Sequence, residues 1–128
     1  MILLDTHMLV WMLVAPEKLS SSAKMKILDA RRNGPLFLSA ISLWEIAWLV
    51  ENRRVETELS TESFVAKCAS YVQIMPITPQ IAARSFAFPA TYPSDPQDRI
   101  IGATAIMEGL RLLTRDKRIR QSRLVPLA

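Results

Sequence analysis

Apolar residues occur along the chain in short runs that alternate with longer amphipathic or apolar stretches. The short runs predict strands at residues 1–4, 36–38, 71–75, 110–114 and, as a short last strand, 124–127. The longer stretches predict helices at residues 7–14, from 20–22 to about 33, 40 to about 52, 61–70, 79–86 and 95 to about 108. Strands that alternate with helices in this way predict an α/β fold, a single-domain α/β/α sandwich with a mostly parallel central sheet.

Capping and breaking residues mark several ends of these elements. Gly34 and Pro35 end the second predicted helix, and Ser39 is placed to cap the third. The segment 95–98, Asp-Pro-Gln-Asp, combines an acidic cap, a proline at the first helical position and an acid at the third, which is typical of a helix start. Residues 53–60 and the proline-rich residues 88–96 are predicted loops.

Length and composition narrow the class of protein. The 128 residues predict one domain, residues 1–128, and a chain that is 50% hydrophobic and 22% charged has a globular composition. The formal net charge of +4 favours anionic partners such as nucleic acid without identifying one. The single cysteine, Cys68, excludes an intrachain disulfide, so we expect a cytoplasmic protein.

Several kinds of protein are excluded by what the sequence lacks. The uninterrupted apolar run at residues 8–15 is far shorter than the ~20 residues of a membrane helix. Asp5 and His7 interrupt the apolar N-terminus and no basic region precedes it, so a signal peptide is not predicted. One histidine and one cysteine exclude a zinc site built from these residue types, and three glycines cannot form a phosphate-binding loop.

Acidic residues follow the predicted strands. Asp5 follows the first strand, and Asp116 lies just past the strand at residues 110–114. Parallel strands bring their carboxyl ends to one edge of a sheet, where α/β proteins form their sites. The helix that begins after Ser39 starts at the same edge and carries Glu45 in its second turn. Asp98 joins them if the loop at residues 88–96 returns the chain to that edge.

Four carboxylates that meet in a small pocket require a cation, because their mutual repulsion is otherwise too costly. A divalent metal ion is the simplest neutralising group, and all-oxygen ligation favours Mg²⁺ or Mn²⁺ over zinc. Such ions act on phosphates by activating water and stabilising developing charge. The predicted metal ligands and catalytic groups are the same residues, Asp5, Glu45, Asp98 and Asp116.

Most of these acids also have a purely structural interpretation. In the first such interpretation, Asp98 completes a capping box. In the second, Glu45 caps its own helix, and in the third Asp116 is an ordinary turn residue. Against the second, the helical neighbours of Glu45 at positions 41, 48 and 49 are all apolar. Asp5 is the hardest to explain structurally, because an unpaired charge between an apolar strand and an apolar helix is costly.

The four acids stand in motifs that resemble those of the PIN-domain family, in the family's order and over nearly the whole chain. The motifs are Leu3-Leu4-Asp5-Thr6-His7, Ser42-Leu43-Trp44-Glu45-Ile46-Ala47, Asp95-Pro96-Gln97-Asp98-Arg99-Ile100-Ile101 and Leu112-Leu113-Thr114-Arg115-Asp116. Each motif is weak by itself, and together they are fairly specific. The Asp-Thr-His end of the first strand is similar to the VapC-like toxin ribonucleases of type II toxin–antitoxin systems.

The resemblance implies a nuclease that holds Mg²⁺ or Mn²⁺ with the four acids and cleaves RNA by metal-activated water. It further implies a toxin that is blocked by a cognate antitoxin protein, in a homodimer or a toxin–antitoxin hetero-oligomer, with no membrane involved. Thr114 and Thr6 take supporting roles. The chain departs from the family at residues 92–94, Tyr-Pro-Ser, where relatives often carry a histidine.

Other residues have two possible roles. The basic residues near the acids in sequence contact RNA phosphates or form a solvated face. They are Arg99, Arg115, Lys117, Arg118, Arg120 and Arg123. We expect His7 to be structural, Cys68 to be an inert packing residue, and the three tryptophans to lie in the core. The alternative for the tryptophans is a groove for an antitoxin or a second subunit, formed with the apolar first helix.

Other functions stay open on the sequence alone. A catalytically silent PIN-like module would bind RNA or protein without cutting it. A phosphatase or a DNA nuclease would use the same acids. A phosphoryl-accepting receiver domain is disfavoured, because no second acid near the first helix and no lysine after the last strand is evident.

Overall fold

Four parallel strands form the central sheet of the computed structural model, which describes residues 1–128. The strands are β1 (Ile2–Leu4), β2 (Phe37–Ser39), β3 (Gln73–Met75) and β4 (Arg111–Leu113), in the order β3-β2-β1-β4. In the interior, Leu3 of β1 lies opposite Phe37 on one side and Leu112 on the other. All carboxyl ends therefore lie at one edge of the sheet, as the alternating pattern predicts.

Seven α-helices accompany the sheet. They are α1 (Thr6–Val14), α2 (Ser21–Asn33), α3 (Ala40–Glu51), α4 (Thr61–Ala69), α5 (Pro79–Ser85), α6 (Pro96–Glu108) and α7 (Lys117–Ser122). A 3₁₀ turn at Pro16–Lys18 joins α1 to α2. The six predicted helices and the first four predicted strands are confirmed to within two residues at each end. None of the helices is long and apolar enough to cross a membrane.

Side chains that alternate along the strands enter two separate hydrophobic cores. Ile2 and Leu4 of β1 pack with residues of α1, α2, α3 and α4, whereas Leu3 packs with residues of α5, α6 and α7. Leu3 and Leu4 are both fully buried, so β1 is covered on both faces and appears in the sequence as a continuous apolar run. The predicted α/β/α sandwich is confirmed.

Side-chain caps fix where the helices begin. Backbone N–H groups in the first turns of α2, α3, α4 and α5 donate to the side chains of Ser20, Ser39, Ser60 and Thr78, respectively. The helix α6 ends at Gly109, whose φ of 64° lies in the left-handed region that glycine adopts without strain. The cap at Ser39 is the one that matters for the site, because it starts α3 directly at the carboxyl edge.

The last part of the chain differs from the prediction. Residues 117–122 form α7, and the strand predicted at residues 124–127 is wrong. Only one bridge forms there, between Leu112 and Leu127. The N–H of Leu112 donates to the carbonyl of Pro126 at 2.8 Å, and its carbonyl accepts from the N–H of Ala128 at 2.9 Å. Pro126 has no N–H to donate, so the ladder cannot extend.

Candidate functional site

A cleft of about 480 Å³ opens at the carboxyl edge of the sheet. It is lined by Asp5, His7, Met8, Trp11, Glu45, Asp95, Asp98, Arg115 and Asp116. The four predicted acids are all among these residues, and Asp95 is a fifth. The loop at residues 88–96 therefore does return the chain to this edge, which is the condition that the sequence left open for Asp98.

Asp5 follows β1 and is held by hydrogen bonds on both carboxylate oxygens. Its Oδ1 accepts from the backbone N–H of Thr6 at 2.9 Å, and its Oδ2 accepts from the hydroxyl of Thr114 at 2.6 Å. Burial raises the pKa of Asp5 above its usual value, while these two hydrogen bonds act in the opposite direction. The side chain is therefore fixed in position and in a poorly solvated place.

Thr114 connects the first acid to the last. Its hydroxyl donates to Asp5 and accepts from the backbone N–H of Asp116 at 3.1 Å. Asp116 in turn caps α7, because its Oδ1 accepts from the N–H of Ile119 at 3.0 Å. The interpretation of Asp116 as an ordinary turn residue is thus replaced by a helix cap that also lines the cleft.

Thr114→Val is expected to raise the pKa of Asp5 further, because the isosteric valine removes the hydrogen bond that favours the charged carboxylate. The ¹³C titration of the Asp5 carboxyl by NMR measures this. Thr104→Val is the matched control, since the buried Thr104 hydroxyl donates to the carbonyl of Ile100 within α6. Each variant should lose about 1 kcal/mol of stability, but only the first should move the Asp5 titration. An unchanged Asp5 pKa in Thr114→Val would contradict the supporting role of Thr114.

Glu45 reaches the cleft from the second turn of α3. Since Ser39 is the cap of this helix, the interpretation of Glu45 as a capping residue is excluded. Burial raises the pKa of Glu45, and the negative charge of Asp5 adds to the rise. The nearby hydroxyl of Thr6 opposes this rise, and it donates to the hydroxyl of Ser42 at 2.8 Å. Thr6 is fully buried and supports two of the acids from inside the fold, because its backbone N–H donates to Asp5 and its hydroxyl opposes the rise in the pKa of Glu45.

Asp98 lies in the first turn of α6. Burial raises its pKa to about 7, and the negative charges of neighbouring carboxylates add to the rise. Those neighbours are Asp5, Glu45, Asp116 and Asp95. At neutral pH the carboxyl group therefore holds a proton part of the time, as expected where several like charges meet without a cation to balance them.

The capping box predicted at the start of α6 is wrong. Asp95 occupies the cap position, but its side chain makes no capping hydrogen bond and instead lines the cleft. A spacing of three residues places Asp95 and Asp98 on one side of the first helical turn. The sequence shows this spacing, but it predicts Asp95 only as a cap and not as a residue of the cleft.

Arg99 has a structural role that the sequence did not reveal. Its guanidinium donates to four backbone carbonyls, those of Phe88 and Pro93 at 2.9 Å, Pro89 at 3.2 Å and Tyr92 at 3.4 Å. Its donors are therefore committed to the loop before α6. The prediction that Arg99 contacts RNA phosphates is corrected accordingly.

Tyr92 supports the same loop from inside. It is fully buried, stacks on Phe88 with ring centres 4.0 Å apart, and donates its hydroxyl to the carbonyl of Asp98 at 3.2 Å. Gly102 in α6 makes room for it, because a Cβ at that position would meet the Tyr92 hydroxyl. The segment that departs from the family pattern thus packs against α6 and helps to place Asp98.

The chemistry of the cleft fits a hard divalent cation. The acidic side chains that could ligate an ion in the cleft are all carboxylates. The raised pKa values of Asp5, Glu45 and Asp98 reflect burial together with uncompensated like charge. All-oxygen sites of this kind suit Mg²⁺ or Mn²⁺. No group of three or more His, Cys, Asp or Glu side chains is already arranged to hold a metal ion. The carboxylates would therefore have to draw together around an ion, so the fit is one of chemistry and not of preformed geometry.

Two of the three tryptophans contradict the expectation of a core position, while Trp11 packs against the first core. Trp44 is 58% exposed and Trp48 is 41% exposed, both on α3. Trp11 is partly buried and lines the cleft. These rings therefore lie where a ligand or another protein can reach them.

Lys117, Arg118 and Cys68, which the sequence analysis also considers, do not line the cleft. Lys117 and Arg118 are exposed at the start of α7, directly after Asp116. Cys68 is fully buried in the core and burial raises its pKa to about 11, as expected of an inert packing residue.

Sequence comparisons relate the chain to known proteins. A family model described as PIN domain matches residues 2–123. The chain is 40% identical over 122 residues to Ribonuclease VapC22 from Mycobacterium tuberculosis (strain ATCC 25618 / H37Rv), and the match covers 95% of this chain and 92% of that protein.

Solved structures share the fold over the full length. A toxin–antitoxin complex from Klebsiella pneumoniae matches with a TM-score of 0.68 and 27% identity, covering 98% of this chain and 95% of that one. The VapBC2 complex from Rickettsia felis, bound to a DNA fragment from its promoter, matches with a TM-score of 0.75 and 17% identity, covering 100% and 98%.

Proposed function

The chain belongs to the PIN-domain family, and from that membership we propose that it is an Mg²⁺- or Mn²⁺-dependent endoribonuclease, the toxin of a toxin–antitoxin pair. The observation that carries the proposal is the meeting of five carboxylates in one cleft at the carboxyl edge of the sheet. A cleft with this charge repels a bare phosphodiester, so it can serve RNA only together with a cation. The 40% identity to a named ribonuclease supports RNA as the substrate.

We assign Asp5, Glu45, Asp98 and Asp116 as the residues that would hold the ion. When bound, it supplies water activation and stabilises the charge on the scissile phosphate. The chain's own contribution is orientation and electrostatics. Thr114 and the backbone N–H of Thr6 fix both oxygens of Asp5, and burial keeps the carboxylates in a poorly solvated place where charge interactions are strong.

Basic residues beside the acids would bind the RNA backbone. Arg115 lines the cleft, and Lys117 and Arg118 are exposed at the start of α7, so we retain these three as phosphate contacts. Arg99 is assigned to the loop instead, because its guanidinium is taken up by backbone carbonyls. Binding through phosphate contacts weakens as salt rises.

An antitoxin protein is the partner that the structural neighbours support, because one is a toxin–antitoxin complex at 27% identity. The exposed Trp44 and Trp48 on α3 offer apolar surface of the kind that protein interfaces cover. We therefore propose a homodimer or a hetero-oligomer with antitoxin. The single cysteine is compatible with action in the cytoplasm.

The test is cleavage of labelled RNA by the purified chain with Mg²⁺, with Mn²⁺ and with EDTA. We expect cleavage with either ion and none with EDTA, and restored cleavage when the ion is returned. DNA of the same sequence and a small phosphomonoester separate a ribonuclease from a DNA nuclease or a phosphatase. Cleavage that persists in EDTA would refute the metal requirement, and binding of RNA without any cleavage would instead support a catalytically silent module.

A further inference from the structure

The cleft has a second wall beside the carboxylates, formed by aromatic and basic residues. His7, Met8 and Trp11 of α1 line it together with Arg115. The guanidinium carbon of Arg115 lies 5.0 Å from the centre of the Trp11 ring, and its Nη1 donates to the carbonyl of Lys18 at 3.0 Å. These two contacts hold an exposed positive charge next to an acidic cleft.

His7 is placed at the surface and not in the interior. Its side chain is exposed and makes no hydrogen bond, and its ring centre lies 5.6 Å from that of Trp11 with the planes tilted by 55°. The structural role expected of His7 at the start of α1 therefore involves no hydrogen bond of its imidazole nitrogens. An exposed imidazole ring that makes no hydrogen bond within the protein is available to a ligand.

A groove continues from the cleft past these rings. It has a volume of about 630 Å³, and His7 and Trp11 line both it and the cleft. Its other lining residues are Val10, Val14, Ala15, Lys18, Leu49, Arg54, Val55 and Glu56. Two cations and one carboxylate give this groove a net positive charge, in contrast to the acidic cleft that it adjoins.

We propose that His7, Trp11 and Arg115 are the residues that bind the substrate strand, which must be single-stranded RNA; the inference rests on the ribonuclease function proposed above. An unpaired base stacks on the His7 ring, and Arg115 contacts the phosphate next to the scissile one. The strand then follows the groove towards Lys18 and Arg54. In a duplex the bases are stacked inside and cannot reach His7, so paired RNA is excluded.

The aromatic and basic residues along the cleft and groove favour a single RNA strand as the occupant. Proteins that bind single strands combine aromatic faces for the bases with a positively charged groove for the backbone. Here the aromatic pair and the fixed arginine adjoin the carboxylates that would act on the strand. A protein segment would match the apolar side chains of the groove, but it gives no reason for an arginine held at the acidic cleft.

The test is the affinity for a fluorescein-labelled unpaired oligoribonucleotide, measured by anisotropy in the Asp98→Asn background, in which cutting is expected to be about 10²–10⁴-fold slower. His7→Ala should weaken binding about tenfold, as expected for the loss of one stacked base, and His7→Phe should restore it. Arg115→Ala should weaken binding and lower the slope of log K against log salt by about 0.7, the value for one phosphate contact to a single strand. His7→Ala should leave that slope unchanged.

Arg32→Ala is the matched control, because Arg32 is exposed near the end of α2 and lines neither the cleft nor the groove. It should bind the oligonucleotide as well as the parent does, and the paired form of the oligonucleotide should bind all variants equally weakly. Equal losses in Arg32→Ala and Arg115→Ala would overturn the proposal. So would RNA binding that survives in His7→Ala and Arg115→Ala while binding of the cognate antitoxin is lost.

The experiment also separates this inference from the function on which it rests. One outcome is that the unmodified protein cuts RNA with Mg²⁺ or Mn²⁺, but His7→Ala and Arg115→Ala retain the parental affinity and KM. The proposal that His7 and Arg115 bind the substrate strand would then be wrong, and the proposed ribonuclease function would be unaffected. If the unmodified protein cuts no RNA with either ion, the proposed ribonuclease function itself is wrong.

Discussion

Asp98→Asn is expected to reduce RNA cleavage by about 10²–10⁴-fold while leaving the fold unchanged. Asp98 shares the cleft with four other carboxylates, and burial together with their charges raises its pKa to about 7. A cation in the cleft would offset the cost of its negative charge. Losing a residue that would hold the ion removes several kcal/mol of transition-state stabilisation, and about 1.4 kcal/mol corresponds to a factor of ten in rate. Initial rates on labelled RNA with saturating Mn²⁺ measure the loss.

Asp29→Asn is the control for the same change of charge, because Asp29 is exposed on α2 and lines no part of the cleft. It should cleave RNA at the parental rate. Circular dichroism of both variants checks that the fold is retained. Undiminished cleavage by Asp98→Asn would remove this residue from the machinery and leave the four-acid site without its third member.

Topology explains why three of the acids could be placed from the sequence. Asp5 and Asp116 follow parallel strands, and the cap at Ser39 starts α3 at the same edge, so Glu45 in the second turn of that helix lies near it. Each of these steps depends on a local signal and on the shared direction of the strands. The meeting of the acids then follows from the geometry of the sheet.

Asp98 could not be placed in the same way, because its position depends on the path of a loop. The structure shows that Arg99 and Tyr92 hold this path through contacts with the carbonyls of residues 88, 89, 92, 93 and 98. Arg99 appears in the sequence as one more basic residue near an acid. No pattern distinguishes a guanidinium that binds a loop from one that binds a phosphate.

Two errors have local physical reasons. The helix α7 has six residues and a single buried apolar residue, Ile119, so it shows no hydrophobic periodicity. Its start depends on the cap by Asp116, whereas the sequence analysis interprets Asp116 as a metal ligand or a turn residue and not as a cap. On α3, apolar residues lie on every side, but only one face meets the core through residues such as Ile46 and Leu49. Trp44 and Trp48 fall on the remaining faces and stay exposed.

The metal-free protein is expected to lose stability as pH rises through neutrality. The pKa of Asp98 is raised from 3.8 to about 7 by folding, so the folded state keeps a proton that the unfolded state has lost. This contribution is fully present below about pH 4 and is lost as pH rises through about 7. An asparagine side chain cannot ionise, so Asp98→Asn should be more stable than the parent at about pH 8, by ~1–2 kcal/mol. A shift of this size would be worth about 4 kcal/mol if unscreened, and water around the partly exposed carboxylate reduces it. Urea denaturation in EDTA measures the difference.

The sign of that difference distinguishes a site for a cation from a cluster that merely holds the fold together. Replacing an acid that is paired within the fold would destabilise the protein, whereas replacing an acid that is buried and also repelled by Asp5, Glu45 and Asp116 should stabilise it. Added Mg²⁺ or Mn²⁺ should therefore raise the stability of the parent at about pH 8 more than that of Asp98→Asn, since the ion binds only the folded state. Asp29→Asn should follow the parent throughout. If Asp98→Asn were the less stable protein at that pH, the carboxylate would be paired in the folded state, and repulsion would not be the reason for a cation in this cleft.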